Sequence, residues 1–232
     1  MNKTNIDWCD YTWNPVVGCR RGCKFGTNKV SCYASVRHNI RHEAYKKGKM
    51  QNHPQYAKPF DVIQYFPERL KSIKKQPGKV FVNSVSDISM WDYDYMEKVL
   101  KVCEENPQHI FMFLTKSATV YYTDPLEFPS NCMKGLTLTL DNEYNTELQT
   151  DNHVGNSGRL FYSFEPLLGK LEDEDLIAHI QDFSSVERVI VGAMSGSGAV
   201  KPKPKWIQSI IDNVPEDKIF WKNNIKKYLG RP

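Results

Sequence analysis

The chain has 232 residues, of which 40% are hydrophobic, 25% charged and 12% aromatic; this excludes a disordered or low-complexity protein and suits one packed domain. Lys and Arg number 31 against 27 Asp and Glu, a formal charge of +4, which permits an anionic substrate without demanding one. Apolar runs such as IFMFL and VIVGAM fall short of the roughly 18–20 residues of a membrane span, and the opening MNKTNIDWCD has no apolar signal segment, so a cytoplasmic protein with no membrane partner is expected. Six cysteines are too sparse for a disulfide scaffold, and three of them crowd into residues 19–32. In a reducing compartment that crowding points to metal or redox chemistry.

In chain order, a short strand is expected in WNPVVGC (13–19), followed by a cysteine-bearing loop. Residues 41–65 are polar, carry Pro and Lys, and read as an insertion. His38 and His42 form an i, i+4 pair beside Arg and Lys and are expected on an exposed helix face. Strands follow at 80–87, 110–116, 135–141, 159–167, 188–195 and 218–223, their apolar centres suiting parallel strands covered on both faces. A loop is expected over 118–134. Amphipathic helices carry Met96, Val99, Leu100 and Cys103, then Leu176, Ile177, Ile180 and Phe183, then Ile207, Ile210, Ile211 and Val214 behind Pro204. Six or seven β–α units without a linker predict one α/β domain over 1–232. A partial (β/α)6-type barrel of parallel strands is favoured over a doubly wound sheet, because no strand–GxGxxG–helix unit opens the chain. Cys103 and Cys132 read as core residues.

WNPVVGCRRGCKFGTNKVSCYA places Cys19, Cys23 and Cys32 in a loop with Gly18 and Gly22, just after the first expected strand. Arg20, Arg21, Lys24 and Lys29 surround the thiols, which predicts lowered thiol pKa values and thiolate ligands. Three thiolates suit a 4Fe-4S cluster with one iron open to an outside ligand, whereas structural zinc asks for four.

This stretch, with the later VNSVSD, FEPLLG and VIVGAMSGSGA, resembles a phage-associated group of the radical S-adenosylmethionine (SAM) superfamily. The resemblance implies a partial (β/α) barrel in which Cys19, Cys23 and Cys32 hold a 4Fe-4S cluster and SAM chelates its open iron. Reductive cleavage of SAM then yields methionine and a 5′-deoxyadenosyl radical that abstracts hydrogen from a substrate, with an electron donor supplying the cluster. The sequence departs from the superfamily's commonest C-x3-C-x2-C: KFGTNKVS (24–31) stands between the second and third cysteines and reads as an insertion that a loop absorbs. Ser31 occupies a position that is often aromatic, and Tyr33 or Phe25 is the substitute at hand.

In a parallel barrel the active groups stand at the C-terminal ends of strands. That rule selects Asn83, Ser84, Ser86 and Asp87, then Lys116, Asp141, Glu165 and Ser195. By the resemblance, Ser86 and Asp87 meet the SAM amino group, and Asn83, Asp141, Glu165 and Ser195 are further SAM contacts. The bland reading of NSVSD is a helix cap; that of Glu165 is a salt bridge. The glycines of GAMSGSGA are read as a close backbone approach to SAM, and KPKPKW before the third helix as a solvated loop, with phosphate pairing and stacking on nucleic acid as the alternative. These basic loops and the phage-associated resemblance favour a nucleotide or nucleic acid as the unidentified substrate. The rival reading is a zinc-stabilised, non-catalytic nucleic-acid-binding protein with Cys9 as the fourth ligand; otherwise Cys9 is a packing thiol.

Overall fold

The computed structural model describes residues 1–26, 28–122, 126–141, 158–182 and 184–230. Short strands dominate its first third: β1 (Asn2–Lys3), β2 (Tyr11–Thr12), β3 (Val16–Val17), β4 (Lys24–Phe25) and β5 (Val30–Ser31), then helix α1 (Tyr33–Lys46) and β6 (Gln64–Tyr65). The remainder comprises β7 (Gly78–Phe81), α2 (Tyr93–Glu104), β8 (His109–Thr115), β9 (Cys132–Thr137), β10 (Arg159–Phe164), α3 (Glu174–Asp182), β11 (Val186–Val191), α4 (Pro204–Asn213), β12 (Ile219–Trp221) and α5 (Asn223–Lys226). Phe183, expected on the third helical turn of its segment, lies outside the described residues.

One eight-stranded sheet runs in the order β1-β2-β7-β8-β9-β10-β11-β12. β1 is antiparallel to β2; every pairing from β2 to β12 is parallel. A doubly wound sheet reverses its strand order at a switch point, and this one never does. The α/β expectation therefore holds, as a curled, mostly parallel half-barrel.

The first parallel strand is β2, ahead of the expected 13–19. Pro15 has no N–H to continue a ladder, so the chain leaves the sheet after Trp13 N donates to Phe81 O at 2.9 Å. Val16–Val17 then pair antiparallel with Gln64–Tyr65. The segment read as an insertion is divided: its first residues complete α1, and the rest lies back against that helix. His38 and His42, expected on an exposed face, hold this return instead. His38 is buried with Nε2 2.9 Å from Lys58 O, and His42 Nδ1 is 2.8 Å from Tyr56 O. Cys103 and Cys132 are buried together in the core, as their apolar settings suggested.

Side chains alternate across the sheet. On the convex side Val80, Phe111 and Phe113 pack beneath α2, and Leu160, Tyr162, Phe164, Val189 and Val191 beneath α3 and α4. The concave side carries Phe81, Met112, Met133, Phe161 and Ile190, with Trp8 and Cys9 packed onto them. The Trp8 ring lies 4.7 Å from Phe81 and 6.2 Å from Phe161 by centroid. Asp7 Oδ2 accepts from Asn223 N at 2.6 Å, and Asp10 N donates to Lys79 O at 2.9 Å. Residues 7–10 therefore tie both edges of the half-barrel and fill its lower interior. Among the described residues no helix is long and apolar enough to cross a membrane.

Trp8 is 4% exposed, so Trp8→Ala should cost about 3–5 kcal/mol in urea unfolding. A loss below about 1 kcal/mol would show that this segment is not part of the core.

Candidate functional site

The loop that carries Cys19, Cys23 and Cys32 lies over the ends of β7 and β8, and Cys23 is close enough to both of the others for their charges to interact. Gly18 turns the chain there with φ 109°, and a Cβ on it would lie 2.4 Å from Val62 O; only glycine fits. Cys19 N then donates to Phe60 O at 2.8 Å. The residues 24–31 that separate the second and third cysteines are themselves a β-hairpin. Lys24 pairs with Ser31, and Phe25 with Val30. Lys29 N donates to Gly26 O across the turn, and Cys32 N donates to Cys23 O at 3.0 Å. Cys23 and Cys32 are therefore opposite one another at the hairpin base, and Cys32 caps the start of α1.

The hairpin also crosses the mouth. Asn28 Nδ2 donates to Gly198 O at 3.4 Å, the Lys116 ammonium lies 5.8 Å from the Phe25 ring, and Val200 stands where a Cβ on Gly26 would go. The glycine-rich GAMSGSGA turn thus makes a close backbone approach, and the partner seen here is the cysteine hairpin. In KPKPKW, Trp206 is buried in the core with Lys203 over its ring at 5.0 Å, so its face is not offered for base stacking.

Thiol acidity follows burial rather than the neighbouring cations. Burial pushes Cys19 up to about 11, with Asp87 and Cys23 adding to it against the pull of the Arg21 backbone and guanidinium. Burial also raises Cys23, opposed by Lys116 and reinforced by Cys32. The expectation of lowered thiol pKa values is therefore corrected for these two. Of the four cations beside them in sequence, Lys24 is turned to Ser31 Oγ at 2.6 Å and Arg20 to Asp61 O at 3.4 Å; Arg21 acts on both thiols, and Lys116 from the end of β8 acts on Cys23. Cys9 lies on the concave floor, its thiol pushed up to about 12 by burial, and within electrostatic reach of Lys222 and Tyr33.

Asp87 anchors the loop. Its Oδ2 lies 3.0 Å from Arg21 Nε, off the hydrogen-bonding axis, and accepts from Lys116 N at 3.1 Å. Oδ1 accepts from Thr115 Oγ1 at 2.6 Å and from Ser89 N and Oγ at 3.1 and 2.8 Å. Arg21 Nη2 reaches Ser89 Oγ at 2.9 Å. Asp87 thus does cap a short 3-10 turn (Ile88–Met90), and the same carboxylate binds the cysteine loop to the ends of β7 and β8.

The other strand-end residues divide between backbone support and the open mouth. Asn83 is buried, donating to Leu114 O and accepting from Leu114 N at 2.9 Å, so its amide replaces a ladder rung between β7 and β8. Ser86 Oγ accepts from Trp91 Nε1 at 3.1 Å, and its backbone bridges Gly18. Ser195 is exposed and accepts from Asn224 Nδ2 at 3.2 Å. Asp141 lines an outer groove of about 300 Å³ with Leu168, Lys170, Glu172, Lys205 and Trp206. Glu165 is partly exposed and paired with Lys222. A Cβ on Gly192 would come within 2.9 Å of Lys222 Cδ and 3.1 Å of Glu165 Cδ; this glycine makes room for the pair.

Lys222, Asn224 and the Tyr33 phenol were not selected from sequence as a group. Asn224 clasps Ala193 N and O at 3.2 and 2.7 Å, as Asn83 clasps Leu114. Lys222 is the residue after β12, so the strand-end rule would have found it; a lone lysine in KIFWKN carries no other signal. Tyr33 donates to Ser84 O at 2.9 Å. Its ring is 57% exposed, yet its phenol is pushed up by burial and by the nearby Cys32 and Glu165. Tyr33 is thus close to Cys32 and to Glu165, which Lys222 pairs, at the recessed mouth.

Among the described residues, no three His, Cys, Asp or Glu side chains close on a single ion. The donor chemistry fits an iron–sulfur cluster, in which each thiolate takes a different iron, and the hairpin supplies the close Cys23–Cys32 approach that the long spacing lacked.

In metal-free protein, iodoacetamide labelling of Cys19, followed by mass spectrometry, should rise about tenfold per pH unit from pH 8 and level off only near the raised pKa; a plateau by pH 8 would contradict the burial of this thiol. Asp87→Ala leaves the Arg21 guanidinium without its counter-charge and should cost about 3–5 kcal/mol, read from chemical denaturation. An unchanged midpoint would remove Asp87 as the anchor.

No curated protein and no solved structure matches the chain. One family model does, over residues 3–225, from β1 through the first residues of α5, and its description is "Protein of unknown function (DUF5131)". The half-barrel, the cysteine hairpin and the Glu165–Lys222 pair all fall within that match, and the chain belongs to the DUF5131 family.

Proposed function

We propose that this chain is a radical SAM enzyme built on a partial (β/α)6-type barrel, with Cys19, Cys23 and Cys32 as the protein ligands of a 4Fe-4S cluster. The observation that carries the reading is the hairpin: across the long C-x8-C spacing it returns Cys32 opposite Cys23, in the same loop that carries Cys19. When bound, the cluster supplies the electron for reductive cleavage of SAM to a carbon radical that abstracts hydrogen from substrate.

The chain's own residues have separable tasks. Cys19 and Cys23 are neutral thiols at neutral pH, so ligation releases their protons and metal binding strengthens as pH rises. Arg21, held by Asp87, fixes the loop over the sheet and places positive charge beside the thiolates. Asp87 is here a positioning residue, its oxygens already engaged by protein. Lys222 neutralises Glu165 and fixes the direction of its carboxylate, leaving oxygens for a hydroxyl or ammonium of SAM. Tyr33 offers its ring to the recess, the position proposed for the adenine contact that Ser31 cannot make. Asn83 and Ser86 contribute by shaping the strand end. A nucleotide or nucleic acid remains the proposed substrate class, from the basic composition around the loop.

Protein purified without oxygen should be brown, with absorbance near about 400 nm and bound iron. Alanine at Cys19, Cys23 or Cys32 should abolish that chromophore, and Cys9→Ala should retain it. A colourless protein that holds stoichiometric zinc, lost equally on Cys9→Ala, would overturn the proposal in favour of a four-thiolate site.

A further inference from the structure

Half of the exposed large hydrophobic residues among the described ones lie on one helix. Tyr33, Val36 and Ile40 on α1 are 57%, 43% and 66% exposed. Val36 and Ile40 stand at i and i+4, one stripe along the helix; Tyr33 at its head turns its hydroxyl to Ser84 O at the mouth, while Ala34 and His38 face the protein on the other side. Tyr93, Tyr122 and Ile211, the remaining three, sit on separate elements; single exposed apolar residues of that kind are ordinary. Arg37 and Arg41 flank the stripe, and Arg41 is held in place by the Tyr56 hydroxyl at 2.6 Å and by its ring at 5.3 Å. The first turn of α1 has no acidic residue, although helix N-termini favour them. The stripe begins one helical turn after Cys32, where Val36 N donates to Cys32 O at 3.0 Å.

We infer that this face of α1 is the docking site of an acidic electron-donor protein with an apolar contact patch; the inference rests on the cluster reading above. Aliphatic Val36 and Ile40 suit the apolar centre of a protein interface and give nucleic acid nothing to stack on. An acidic rim complements both arginines and steers the donor. A donor seated there lies within about three helical turns of the Cys32 end of α1, a short path for an electron.

The test uses the double variant Val36→Asp, Ile40→Asp, with Ile211→Asp as an exposed-isoleucine control on α4. A strongly acidic flavodoxin is the probe. Reduced flavodoxin should bleach the wild-type chromophore, and do so about tenfold or more slowly in the double variant. Dithionite, which needs no docking, should reduce both alike. Calorimetric binding of the oxidised flavodoxin to cluster-free protein should weaken in the same proportion, with the control unaffected. Equal flavodoxin rates and affinities in wild type and double variant would overturn the docking face while leaving the cluster reading intact. So would a double variant whose defect is loss of single-stranded oligonucleotide binding or of a dimer in sedimentation. A wild-type protein with no dithionite-reducible chromophore would sink the cluster reading instead, and the calorimetry alone would then decide the face.

Discussion

The buried carboxylate of Asp87 is the interaction on which the arrangement of the mouth depends. A buried anion is tolerated only when it is paired and hydrogen-bonded, and Asp87 meets that condition by drawing in three separate segments. Thr115 and the Lys116 amide come from the end of β8, Ser89 from the turn after β7, and Arg21 from the cysteine loop. Satisfying the charge therefore requires the loop to sit over these two strands and nowhere else. The same contact explains why the basic residues near the thiols do not act as a uniform field: Arg21 is fixed by the carboxylate, and its neighbours turn to other partners.

Two asparagines do comparable work on either side. Asn83 and Asn224 each present an amide to both backbone groups of a neighbouring residue, Leu114 and Ala193. Where the chain must leave the sheet to form functional loops, a side-chain amide replaces the lost rung, and no buried N–H or C=O is orphaned. Between these clasps the concave face is left open by Gly192, and the Glu165–Lys222 pair occupies the space a side chain there would have filled. The hairpin spans the gap from the β7 side to the turn after β11. The mouth is thus a ring of strand ends with a strap across it.

The balance of burial and charge at the thiols carries a chemical consequence. A thiol held neutral in a partly dry loop resists stray alkylation and oxidation. Cys19 is of this kind: its ionisation is opposed chiefly by burial and only secondarily by its charged neighbours. Cys9 resembles it in acidity and differs in setting, since it packs with Trp8 against Phe81 and Phe161 in the filled lower half of the barrel.

The α/β class, the parallel strands from 80 onward, the amphipathic helices and the cluster of three cysteines were all legible in the sequence, because periodic burial and residue chemistry are local properties. So was the position of Asp87 and Glu165 at the C-terminal ends of apolar strands. Their partners were not legible. Arg21 is one of four nearby cations, and only the fold decided that it alone faces Asp87. Lys222 meets Glu165 from 57 residues away, and His38 and His42 turned inward because the segment after α1 folds back onto them. The glycines of the SGSGA turn read as an approach to SAM, and what the fold brings against Gly198 is a hairpin distant in the chain. Residue types and spacing thus determined which groups this protein possesses and along which strands they emerge. Tertiary structure alone decided which of them meet, because pairing across a curled sheet depends on strand register and loop closure, and no local pattern encodes either.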